Sequence, residues 1–122
     1  MIDVNKVLLV GVLEKMPSLK YLRTNQAVCN FRVITKDKDE DGKPITDTVL
    51  VNLWGRKAEE LHAKMNEGTK VRVEGKLTHR EFQDQMGDVK TITQVNAHSV
   101  IILENAPSQT GYSNQPSTGY GR

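Results

Sequence analysis

Alternation of apolar and polar residues runs through most of this chain between residues 4 and 103. A period of two puts successive side chains on opposite faces and marks strands with one face in a core. Five segments carry it: 4–13, 27–36, 47–54, 71–80 and 89–103. Pro17 and the polar stretch after it close the first segment, and Gln85, Met86, Gly87 and Asp88 suit a turn between the last two. One segment has a different period. Residues 56–65 (RKAEELHAKM) are good helix formers, with Ala58, Leu61, His62 and Met65 on one helical face and Gly68 just beyond to stop the helix.

The faces of these strands differ in character. Ala27, Cys29, Phe31 and Val33 read as inward, with Asn30, Arg32 and Lys36 outward. In the third strand Val49, Val51 and Leu53 share a core face, while Thr48, Leu50, Asn52 and Trp54 share the other. A tryptophan on a mixed polar face has no core to enter, but it suits a platform on which a flat ligand stacks. The element order is strand, strand, strand, helix, strand, strand. It predicts an all-β domain, the five-stranded oligonucleotide/oligosaccharide-binding (OB) barrel with a helix between its third and fourth strands.

The fourth segment adds charge to this picture. Val71, Val73, Gly75 and Leu77 point one way, and Lys70, Arg72, Glu74, Lys76, Thr78 and Arg80 the other, a predominantly basic face that Phe82 follows directly. Cations to track phosphates beside rings to stack bases are what sequence-tolerant binding of a single nucleic-acid strand requires. Tyr21, flanked by Lys20 and Arg23, is expected to extend the same surface. With a net charge of only +2 and a pI near 8.7, this reading rests on where the charge sits and not on its total.

Length and composition bound the rest. The chain's 122 residues allow one domain with a core, read as 1–104, and a flexible polar tail, read as 105–122, where PSQTGYSNQPSTGYGR has no apolar period. A single cysteine, Cys29, on an inward strand face makes no internal disulfide and reads as a small core residue. The apolar run near the N-terminus is too short to span a bilayer and lacks a basic leader, so the protein is expected in the cytoplasm. The segment 7–13 (VLLVGVL) is apolar on both faces: one face lines the barrel and the other needs a partner, which self-association through this strand would supply.

The residues resemble a known family. VNKVLLVG (4–11), KYLRTNQAVCNFRV (20–33), LWGRKAE (53–59) and EGTKVRVEGKLTHREFQDQMG (67–87) look like the bacterial single-stranded DNA-binding proteins, nearly collinearly from residue 4 to about 103. The resemblance implies an OB-fold homotetramer, with a homodimer as the alternative, that wraps single-stranded DNA in replication, recombination and repair at the nucleoid. It puts Trp54 and Phe82 at base-stacking positions, Tyr21 at a third aromatic site, and Lys6, Lys20, Lys57 and Arg80 where the family has cations near the strand. Arg32, Arg56, Arg72 and Lys76 complete the candidate set. The chain departs from the pattern at Thr48 and Val49, where the family often has tryptophan and then histidine, and it ends in GYGR where the family has an acidic, phenylalanine-terminated peptide. Recruitment of enzymes through that peptide is therefore not expected.

Other chemistries fit poorly. Asp37, Asp39, Asp41 and Gly42 open like a calcium loop, but Thr48 stands where the bidentate Glu belongs. His62, His79, His98 and Cys29 lack metal-ligand spacing, so neither metal nor cofactor is expected, and no nucleophile arrangement marks an enzyme. Tyr112 and Tyr120 in the tail read as part of a spacer. Two alternatives to strand protection are an accessory interaction module of a primosome or recombination complex, and a nuclease on the same barrel.

Overall fold

The computed structural model describes residues 2–107. The element order is β1 (Val7–Leu13), β2 (Ser18–Tyr21), β3 (Ala27–Lys38), β4 (Pro44–Trp54), α1 (Arg56–His62), β5 (Lys70–Gln83) and β6 (Val89–Glu104). The strands form one sheet in the order β1-β5-β6-β4-β3-β2, and an additional β1–β3 pairing closes it into a barrel. All pairings are antiparallel except β4 with β6. The closed circuit of β1, β3, β4, β6 and β5 is the expected five-stranded OB barrel, with α1 after its third strand.

Two glycines permit this closure. β1 leaves β5 and joins β3 near Gly11, where an added Cβ would collide with the Ile34 carbonyl oxygen. At Gly75 an added Cβ would collide with the Asn96 carbonyl oxygen in the same way. Here the β5–β6 register also slips: Gly75 pairs with Ala97 but Glu74 pairs with Ser99, leaving His98 as the extra residue of a bulge. Both sites need a bare backbone because strands pass too close for any side chain.

Inward positions follow the alternation. Leu13, Cys29, Val33, Val51, Leu53, Val71, Val73 and Val95 are 0–1% exposed and form one core with Phe31, Ala58 and Met65. Burial holds the Cys29 thiol proton and lifts its pKa from 9.0 to about 11.

Several boundaries differ from expectation. β1 begins at Val7 and not at residue 4; before it, the Asn5 amide bonds the backbone of Leu77 in both directions, at 2.8 and 2.9 Å, and mimics a strand pair. β2 is an additional strand, too short and too polar to show an apolar period. The helix stops at His62, since the Lys64 and Met65 amides both return to the Leu61 carbonyl and tighten the chain into a turn that still buries Met65. Leu77 has the inward parity expected of it yet is 43% exposed, because there the β5–β6 hairpin has begun to leave the barrel. Most of the predicted tail, with Tyr112 and Tyr120, lies outside the described residues.

Candidate nucleic-acid interface

Cross-strand partners share a face, so the register shows which outward side chains lie together. Asn30, Asn52 and Asn96 are neighbours across β3, β4 and β6, and the row continues to Ser18 on β2 and Lys76 on β5. The Asn30 amide donates to the Asn52 carbonyl oxygen, and the Asn52 amide donates to that of Asn96 at 3.3 Å. On one side of this row lie Lys20, Val28 and Trp54. On the other lie Arg32, Leu50, Gln94 and Thr78, then Arg80 opposite Ile92, then Phe82 opposite Lys90. None of these paired strand residues is Asp or Glu; the acid nearest to the named cations is Glu14, just past β1 and beside Arg32.

Trp54 and Phe82 are each 40% exposed and stand at opposite ends of this face. Phe82 lies level with Lys90 of β6, and continuing the β4–β6 register by one residue sets Trp54 level with His98, a separation along β6 of roughly 26 Å at the usual rise per strand residue. A ligand that touches both rings has to cross Lys76, Arg80 and the asparagine row. Lys57 in the first turn of α1 reaches the Trp54 end, where its ammonium donates to the His98 carbonyl at 3.0 Å. Lys6 is exposed, and continuing the β1–β5 register by one residue sets it beside Lys76. Arg32 is largely exposed, with Glu14 at 3.9 Å. Arg56 is exposed at the start of α1.

Two expected members lie elsewhere. Tyr21 pairs with Ala27, so it takes the opposite face of β2 from Lys20, and its hydroxyl donates to the Glu59 carboxylate on α1 at 3.2 Å. That hydrogen bond, then desolvation and the Glu59 charge, raise the phenol's pKa. Tyr21 therefore does not extend the Trp54 surface as the sequence suggested. Arg72 lies beyond the bulge, between Val10 of β1 and Ile101 of β6, and pairs with Glu74 at 2.6 Å. Around that ion pair Leu8, Val10, Val12, Ile101 and Leu103 are 36–55% exposed. The outward face of β5 is thus divided: Lys70 (paired with Glu104 at 3.6 Å), Arg72 and Glu74 border an apolar patch, while Lys76, Thr78, Arg80 and Phe82 border the asparagines.

Residues 4–103 match the profile of the Single-strand binding protein family. The chain belongs to this family. Among its relatives, the single-stranded DNA-binding protein of Oceanobacillus iheyensis is 36% identical over 109 residues, 88% of this chain and 68% of the relative. Single-stranded DNA-binding protein 1 of Clostridium acetobutylicum is also 36% identical, over 82% of this chain and 94% of its own length. The crystal structure of a deletion mutant of the single-stranded DNA binding protein from Thermus aquaticus superposes with a TM-score of 0.70 at 28% identity. That match covers 83% of this chain and 51% of the crystallised Thermus chain, so this chain spans about half the length of that one.

Lys90 and the asparagine row were not legible in the sequence. Lys90 sits at a strand start with no periodic neighbour to flag it. Asn30 and Asn52 were legible as outward residues, but only the β4–β6 register joins them to Asn96. Among the described residues no group of three or more His, Cys, Asp or Glu is arranged to hold a metal ion, and no helix is long and apolar enough to cross a membrane.

Proposed function

We propose that this chain binds single-stranded DNA without sequence specificity and protects it during replication, recombination and repair. Bases stack on Trp54 and Phe82, while Lys6, Lys20, Arg32, Lys57, Lys76, Arg80 and Lys90 neutralise phosphates. The observation that carries this reading is a sheet face with a half-exposed aromatic ring at each end and the cations Lys76 and Arg80 between them, neither of them ion-paired among the described residues. Family membership and the names of the relatives support it. Duplex DNA hides its base faces, so stacking favours the unpaired strand. The face offers groups that bind and orient a strand and none arranged to cleave it, which favours a binding protein over an enzyme. Its place of action is the cytoplasm, at the nucleoid.

Self-association belongs to the same reading. The exposed side of β1 with Ile101 and Leu103 forms an apolar patch around a neutralised ion pair, a surface suited to a second copy of the chain and, by analogy with the family, to a homotetramer. Competition binding tests the strand preference. A labelled oligonucleotide should be displaced by unlabelled single strands and hardly at all by duplex of equal nucleotide concentration. Equal displacement by duplex would overturn the reading.

A further inference from the structure

The asparagine row does more than the proposed stacking and phosphate contacts require. Asn52 is 7% exposed and engages both of its neighbours, and the hydrogen bonds of the ladder run in one sense from Asn30 to Asn96. An asparagine amide carries two donors and a carbonyl with two lone pairs. At the Asn96 end the carbonyl oxygen is taken by Asn52, while the NH2 group meets no protein acceptor among the described residues. Asn96 is exposed, and its partner across β5 is Lys76, whose ammonium likewise has no acceptor among the described residues. Two donors therefore lie side by side in the middle of the face. Trp54 is one strand over and two residues along from Asn96, about 8 Å away at ordinary strand spacings. A base lying on the indole would turn an edge toward this donor pair.

We propose that Asn96 and Lys76 form a subsite that hydrogen-bonds the carbonyl oxygens of a base stacked at Trp54, with Asn52 and Asn30 holding the Asn96 amide in its donating orientation. The inference rests on the single-strand-binding reading. Thymine, guanine and cytosine present carbonyl oxygens and adenine presents none, so the subsite biases an otherwise sequence-tolerant face against adenine. Asn96 is then a specificity-determining residue for one base position. A ladder that only ties strands together would affect stability and leave base preference unchanged.

The test is the ratio of affinities for oligo(dT) and oligo(dA), each of about 12 nucleotides, which matches one OB domain. Comparing this ratio between variant and wild type cancels the intrinsic stacking of the free oligo(dA) strand. Asn96→Val removes the donor and suits a strand. Asn96→Asp keeps the carbonyl oxygen that Asn52 uses and replaces only the donor. The dT:dA ratio should fall about three- to tenfold in the valine variant, the value of one hydrogen bond, and at least as far in the aspartate variant. If both variants fold as judged by circular dichroism and keep the wild-type ratio within about twofold, the ladder is structural and the subsite is wrong. A wild-type protein that binds neither oligonucleotide would instead remove the parent reading, and this inference with it.

Discussion

Lys76 and Arg72 project from the same side of β5, yet they face different neighbours: Lys76 is opposite Asn96, whereas Arg72 is opposite Ile101 and ion-paired with Glu74 at 2.6 Å. The bulge at His98 separates the two environments. Charge alone would assign both residues to one basic stripe, and the register assigns them to two surfaces.

This division predicts different salt behaviour. Each phosphate contact on a single strand contributes about 0.7 to the slope of log affinity against log salt. Lys76→Ala and Arg80→Ala should each reduce that slope by roughly 0.7 for a single strand. Arg72→Ala should leave it unchanged. Oligonucleotide titrations at several salt concentrations check this, and an Arg72 effect equal to that of Lys76 would contradict the division.

The apolar patch predicts a mass change. An aspartate at Val10 would sit in an interface beside Leu8, Val12 and Ile101, where an unpaired charge is strongly unfavourable when buried. Light scattering after gel filtration should show Val10→Asp as a smaller species than the wild type. An unchanged mass would place the oligomer contact elsewhere.

Cys29 predicts a stability change with pH. Its thiol ionises near 9.0 in the unfolded chain and at about 11 when folded, so between these values the unfolded state has released a proton that the folded state retains. Stability contributed by the buried thiol is therefore complete below pH 9 and declines as pH rises toward 11. Denaturant midpoints measured from about pH 8 to 10.5 should fall less steeply for Cys29→Ala than for wild type, with equal slopes as the contradicting result.

Much of the fold was legible because alternation reports burial directly. Ala27, Cys29, Phe31 and Val33 in β3, and Val51 and Leu53 in β4, are buried as their pattern implies. Trp54 and Phe82 stood out because a large ring at an outward position has no core to join. Register was not legible. It decides that Tyr21 faces Glu59 while its neighbour Lys20 shares the Trp54 row, and that Asn96 completes a ladder. These relations depend on pairings between segments tens of residues apart, which local periodicity does not encode. The four residues of β2 were too few to carry a period at all.

Trp54 is the chain's one tryptophan, so its own fluorescence tests most directly whether it stacks on unpaired bases. Stacking on single-strand-binding OB folds, for which proteins of this family are the type example, is worth about 1–3 kcal/mol per base. Titration with oligo(dT) should quench Trp54 emission at saturation, and Phe82→Ala should weaken binding by a free energy within that range, about 5- to 150-fold in affinity, while the quenched end point is kept. Saturable binding that leaves the emission of Trp54 unchanged would contradict the account.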